Sequence, residues 1–239
     1  MSVGRTPHRI TVILLAALIL LAGVAVVLLA RHDRESTSPS PNTIRRSGGA
    51  ATATRKVPAF TAVDLAGVNH VAIHVGGKQH VVVHADQKLL RRVSTVVRNG
   101  KLVIGTTPGS FSTTTPMSVD VTVPSLDAVT LSGSGRVTVE GVRATQFRVD
   151  VPGTGVLRVS GRTDRLTATL GGSGDVRLGG LIAREATAVV AGSGRLQVRA
   201  TGSLDATISG AGEISYSGNP SKVTQKITGA GSIMSGSAR

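Results

Sequence analysis

Cysteine is absent from the 239 residues, which excludes disulfides, thiolate metal sites, a cysteine nucleophile and a lipidated cysteine anchor. Tryptophan is absent too, and only three phenylalanines and one tyrosine are present. A core without large rings must come from many small branched side chains, an arrangement that suits strands better than helices. The same scarcity removes the stacking platforms that single-stranded nucleic acid needs, and no nucleic-acid motif stands out. Nucleic acid is therefore not an expected partner.

What is abundant is glycine, with 30 residues, and positive charge, with a net +14. The charge is densest at the start: residues 1–56 carry +6, residues 57–120 +3 and residues 121–239 +5. Such an excess favours an anionic surface as partner. Residues 10–30 are apolar except for Thr11, and as a helix would span about 31 Å, the thickness of a bilayer core. That run exceeds the apolar stretch of a cleaved leader. It predicts an uncleaved transmembrane signal anchor, with a short tail (1–9) inside and the bulk of the chain outside. Residues 31–56, rich in Ser, Thr and Pro, read as a flexible tether.

The C-terminal half is repetitive. Gly-x-Gly units stand at Gly133/Gly135, Gly153/Gly155, Gly172/Gly174, Gly192/Gly194, Gly210/Gly212 and Gly229/Gly231, spaced 18 to 20 residues apart. Two residues before each unit's first glycine stand Leu131, Val151, Leu170, Val190, Ile208 and Ile227. Four after it stand Val137, Leu157, Val176, Leu196, Ile214 and Ile233. The flanks alternate apolar and polar as strands do. The prediction is an all-β fold: a single-stranded, right-handed, parallel β-helix-like solenoid of about 19 residues per coil. Glycine would suit its corners by tolerating positive φ and by letting successive backbones approach. The repeats occupy 126–235. Residues 57–125 form a β-rich opening part, either cap or early coils, with a short helix possible within 88–97 and an exposed loop at 106–116.

The run Ser132-Gly133-Ser134-Gly135-Arg136-Val137-Thr138-Val139 resembles the repeated turns of the DUF2807 family, the head GIN domain of putative auto-transporter adhesins. So do residues 204–214 with Tyr216 and Gly218-Asn219-Pro220. The opening part adds residues 60–65, Leu89-Leu90, residues 99–102 and residues 121–124. The resemblance covers about residues 57–235 and implies a bacterial, surface-exposed β-helical protein with no catalytic residues to carry over. Arg136, Arg195 and Ser232 depart from it, standing where the family's turns usually carry an acid.

Candidate chemistry is sparse. Gly171-Gly172-Ser173-Gly174-Asp175 is superficially like calcium-binding β-roll turns, but those repeat every nine residues with an acid in each. His70, His74, His80 and His84 sit at even spacing on two strands around Gly76-Gly77. A hairpin would pair His74 with His80 and His70 with His84, giving a candidate metal site or pH-sensitive patch, against a simple solvated face. Arg158 and Arg177 fall at the same outward position of adjacent coils, with Gln197 next, a ladder able to grip phosphate or carboxylate groups. The eight acids of the solenoid do not recur in register, and no nucleophile elbow or solenoid histidine is present. The expectation is a membrane-anchored, extracytoplasmic, non-catalytic adhesion or scaffold module of a bacterial cell membrane. It would need no cofactor and bind an anionic cell-wall polymer or a surface protein. The alternative is a carbohydrate-active enzyme on the same scaffold.

Overall fold

The computed structural model describes residues 49–107, 109 and 116–236. The expected anchor at 10–30 and most of the tether lie outside them, as does most of the loop at 106–116. Among the described residues, no helix is long and apolar enough to cross a membrane.

These residues form fifteen strands: β1 (Ala50–Thr54), β2 (Ala62–Leu65), β3 (His70–Val75), β4 (His80–Asp86), β5 (Val93–Arg98), β6 (Lys101–Thr106), β7 (Ser118–Val123), β8 (Ala128–Leu131), β9 (Arg136–Val151), β10 (Val156–Leu170), β11 (Asp175–Val190), β12 (Arg195–Ile208), β13 (Glu213–Ser217), β14 (Lys222–Ile227) and β15 (Ser232–Ser235). The helix expected within 88–97 is a single 3-10 turn, Leu90–Arg92, after which the chain is already strand.

From β8 onward the coils stack in chain order. β9, β10, β11 and β12 pair in parallel; β12 then pairs with both β13 and β14, and β13 with β15. Each coil has two faces joined at a Gly-x-Gly corner, and the six corners mark a β-solenoid of about five turns. Both aliphatic columns point inward. Val151, Leu170, Val190 and Ile208 lie in register, as do Val137, Leu157, Val176, Leu196 and Ile214, and all are essentially buried. The last coil differs: Ile227, in the inward column, is 45 % exposed, because no described strand stacks beyond it, while Ile233 is only partly buried.

The opening part supplies both coils and a cap, and its order in space is not its order in sequence. β2 lies between β6 and β8, and β3 between β7 and β9, all parallel. The coil made by β2 and β3 is thus flanked on one side by β6 and β7, which come later in the chain. Antiparallel strands close that end: β5 on β6, β4 on β7 and β1 on β4. Asn99 and Gly100, both at positive φ, form the tight turn joining β5 to β6.

The corner glycines correct one half of the expectation placed on them and bear out the other. Positive φ is absent from all six corners: neither the first glycines (Gly133, Gly153, Gly172, Gly192, Gly210, Gly229) nor the second (Gly135, Gly155, Gly174, Gly194, Gly212, Gly231) adopt it. Close approach of successive backbones is what requires them. A Cβ at Gly153, Gly172, Gly192, Gly210 or Gly229 would sit closer than 3.0 Å to the carbonyl oxygen of the first glycine one coil below. The second glycines repeat the constraint in their own column. A Cβ at Gly155 would collide with the Gly135 oxygen, one at Gly174 with the Gly155 oxygen, and Gly194, Gly212 and Gly231 continue the series. Gly155 is therefore a buried stacking residue rather than a left-handed turn residue.

Corner N–H groups use those same carbonyls. Thr154 N donates to Gly133 O at 3.1 Å, Val156 N to Gly135 O at 3.0 Å and Asp175 N to Gly155 O at 3.0 Å. Hydrogen-bonded stacking at this distance leaves no room for a methyl group. Positive φ appears instead at the second bend, at Gly141, Gly161 and Gly218.

Candidate functional site

The face built from the strands after each corner carries the outward residues that could meet a partner. Thr138, Arg158, Arg177 and Gln197 run across it in register on β9 to β12. Beyond them the ladder becomes irregular. β11 carries extra residues after Arg177 relative to both neighbours, so pairing resumes at Ser160 with Gly180 and at Arg199 with Ile182. A bulge of this kind re-aims side chains and leaves a local depression. Here Ser160, Gly179, Gly180 and Ser217 leave a shallow groove of about 550 Å³, with Arg158, Arg177 and Arg199 among its walls and Glu140 at the β9 side. Sequence reasoning found two of the three arginines. Arg199 was missed because the bulge breaks the repeat that made the others visible.

The three guanidinium groups are not equivalent. Arg177 is held by Asp175, with Nη2 at 2.6 Å and Nε at 2.9 Å from Oδ2. That hydrogen bond, followed by the carboxylate's charge, raises the arginine above its ordinary pKa. Much of its positive potential is therefore already answered. Arg158 has no carboxylate partner among the described residues, and the Nε of Arg199 is shielded from solvent without a hydrogen-bond partner. The ladder thus offers Arg158 and Arg199 as cations without a carboxylate partner among the described residues, with Arg177, tied to Asp175 along its own strand, between them.

The histidines share this face but not the expected hairpin. β7 is inserted between β3 and β4, so Ser118 separates His70 from His84 and Thr122 separates His74 from His80. The histidine pairs are two strand spacings apart, about 9.6 Å. A chain reversal at Gly76-Gly77 suggests a hairpin locally, yet β7, with its alternating valines, satisfies both edges at once. Each carboxylate near the group comes from elsewhere in the sequence: Asp120 Oδ2 lies 2.9 Å from His84 Nε2, and Glu140 Oε2 lies 3.5 Å from His74 Nδ1. The first approach has ion-pair distance without hydrogen-bond alignment. Among the described residues, no three His, Asp or Glu side chains converge as a metal cluster.

Carboxylates also share two depressions among the described residues. Glu185 and Asp205 line one. Asp175 and Glu213 line the other, over the corners, separated in register by Arg195. Asp175 is engaged by Arg177, and Glu213 lies 3.6 Å from Arg195. On the opposite face, Glu185 bridges Arg165 at 3.3 Å and Arg184 at 2.9 Å.

Comparison with known proteins agrees with this architecture. Residues 59–220 match the DUF2807 family model, described as "Putative auto-transporter adhesin, head GIN domain". Among solved structures, a putative adhesin from Bacteroides fragilis is 21 % identical with a TM-score of 0.66, covering 78 % of this chain and 97 % of its own. A putative adhesin from Parabacteroides distasonis is 20 % identical with a TM-score of 0.49, covering 79 % and 98 %. A putative lipid binding protein from Parabacteroides distasonis is 22 % identical with a TM-score of 0.48, covering 79 % and 97 %. No curated protein matches. At 21 % identity and a TM-score of 0.66 the Bacteroides fragilis structure speaks to fold alone, and the other two, below 0.5, carry no argument. The family match, which spans more than half of the sequence, goes further, and the chain belongs to the DUF2807 family of head GIN domains.

Proposed function

We propose that this chain is a non-catalytic adhesion module that binds anionic polymers of the bacterial envelope through the arginine groove. The observation that carries the reading is the pair of guanidinium groups without a carboxylate partner, Arg158 and Arg199, in one depression with Arg177 between them. Spacing across stacked strands suits a polymer with repeating phosphate, sulfate or carboxylate groups, because successive strands repeat every 4.8 Å or so. In this reading the solenoid winds right-handed, and residues 10–30 anchor it to the cell membrane. Residues 31–56 then hold it clear of the bilayer on the outer side. The family's adhesin description supports the same class of role.

Dextran sulfate, whose charge is constant across ordinary pH, is a suitable probe. Arg158→Ala with Arg199→Ala should weaken its binding about tenfold, as expected for two exposed charge contacts. Arg165→Ala with Arg184→Ala, which removes two cations from the opposite face, should leave binding within twofold. Equal losses from both variants would show only general charge attraction and would sink the groove.

The second reading, a carbohydrate-active enzyme, rests on Asp175 and Glu213 near one depression. Paired carboxylates are what glycoside hydrolysis requires. Release of reducing ends from a wall-glycan mixture, lost in Asp175→Asn, would favour it over adhesion.

A further inference from the structure

We infer that the four histidines form an acid-responsive extension of the arginine groove, so that protonation strengthens binding to a polyanion. The inference rests on the polymer-binding reading and adds its regulation. His70 and His74 project outward from β3, His80 and His84 from β4, and β7 lies between. Three neighbouring strands therefore present four imidazoles on the face that carries the arginines. The row through His84, Ser118 and His70 continues into Arg136 on β9; the row through His80, Thr122 and His74 continues into Glu140.

Glu140 connects the two features, because it lines the groove and also lies 3.5 Å from His74. The other charged groups around the patch are few. Asp120 of β7 faces His84 at 2.9 Å, Arg136 of β9 is opposite His70, and β1 contributes only Ala and Thr. Arg55, beyond β1, donates to the Leu90 carbonyl, Lys78 sits in the turn before β4, and Asp86 at the end of β4 is fully buried.

Imidazole is the side chain that changes charge between about pH 5 and 8. With all four imidazoles neutral, Asp120 and Glu140 are balanced by Arg136 and Lys78, and the patch offers a polyanion no net attraction. With all four protonated, four positive charges are added. The swing is toward attraction as pH falls. The β3 histidines lie two strands, about 9.6 Å, from Arg158 on β10, close to the roughly 8 Å over which physiological salt screens charge, so a polymer lying across both feels them together.

The test is dextran sulfate binding by the full chain in a nonionic detergent, at constant ionic strength, at pH 7.5 and 5.5. Wild type should bind about tenfold more tightly at the lower pH, on the scale of a few added exposed charge contacts. Replacing His70, His74, His80 and His84 together by Gln should flatten that dependence. Should that variant not fold, Asp120→Asn with Glu140→Gln approaches the idea from the other side: it should raise affinity at pH 7.5 and shrink the pH effect. Wild-type binding that is equal at both pH values overturns the acid response and leaves the arginine groove standing. A pH effect that persists undiminished in both variants also overturns it. Absence of binding at either pH removes the polymer reading itself, and the acid response with it.

Discussion

Alanine at Gly172 and alanine at Gly171 should behave oppositely, although the two residues are neighbours. A Cβ at Gly172 would meet the Gly153 carbonyl oxygen, the Pro152 oxygen at 2.6 Å and the Gly153 carbonyl carbon at 2.9 Å. All three are backbone atoms, which cannot rotate away as a side chain would. Relief requires two coils to separate, stretching corner bonds such as Gly172 N to Val151 O at 3.1 Å. Overpacking in a dense interior costs about 1–3 kcal/mol and sometimes more, and rigid backbone on the receiving side places this case at about 3 kcal/mol. For a domain of this size that lowers Tm by about 6–12 °C. At Gly171 the nearest atom to a new Cβ is the Pro152 Cα at 3.9 Å, an ordinary contact, and φ is not positive. Gly171→Ala should therefore fall within about 0.5 kcal/mol of wild type, or slightly above it through a less flexible unfolded chain. Urea unfolding followed by circular dichroism, with matched thermal melts, measures both. Two variants of equal stability would refute the claim that contact between coils, rather than turn conformation, selects glycine at the corners.

Gly161→Ala combines a φ of 137° with a Cβ forced against Val142 backbone, so thermal melts should show it to be at least as damaging as Gly172→Ala. Phe147 is the largest fully buried side chain, and Phe147→Ala should cost about 3–5 kcal/mol in urea unfolding. Asp175→Asn should leave stability nearly unchanged, since its partner Arg177 is a surface cation. It should strengthen dextran sulfate binding by freeing that guanidinium, which a titration at neutral pH would detect.

The repeat was legible because stacking repeats its demands: columns of glycine at each corner, and one aliphatic column on either side. Those columns are fully buried up to the last coil, where Ile227 stands exposed and Ile233 is only partly buried, since a sequence pattern does not state whether another strand follows. The reason for the glycines was only half legible. Spacing marks Gly153 and Gly155 as corner residues, but whether turn conformation or the coil below forbids a side chain there depends on atoms some 20 residues away. The opening part was less legible still. Val119, Val121 and Val123 announce a strand, but nothing local says that β7 will part β3 from β4, since that choice depends on pairing partners distant in sequence. The same limit applies to the site. Arg158 and Arg177 could be aligned by counting; Arg199 could not, because extra residues in β11 displace it from the count. Asp120 and Glu140 joined the histidines only through the sheet.

The placement of the β2–β3 coil between strands that follow it has a consequence for how the chain is made. A ribosome releases residues 62–75 first, yet their hydrogen-bonding edges have no partners until residues 101–123 and 128–140 have also emerged. The later coils need only wait for the next 20 or so residues. Assembly is therefore cheapest when it begins among those later coils and reaches the opening segment last, since long loops must close before the distant pairings reward them. During synthesis β2 and β3 are therefore the strands most exposed to mispairing, and the interval is set by the distance from residue 62 to residue 140 rather than by the repeat length.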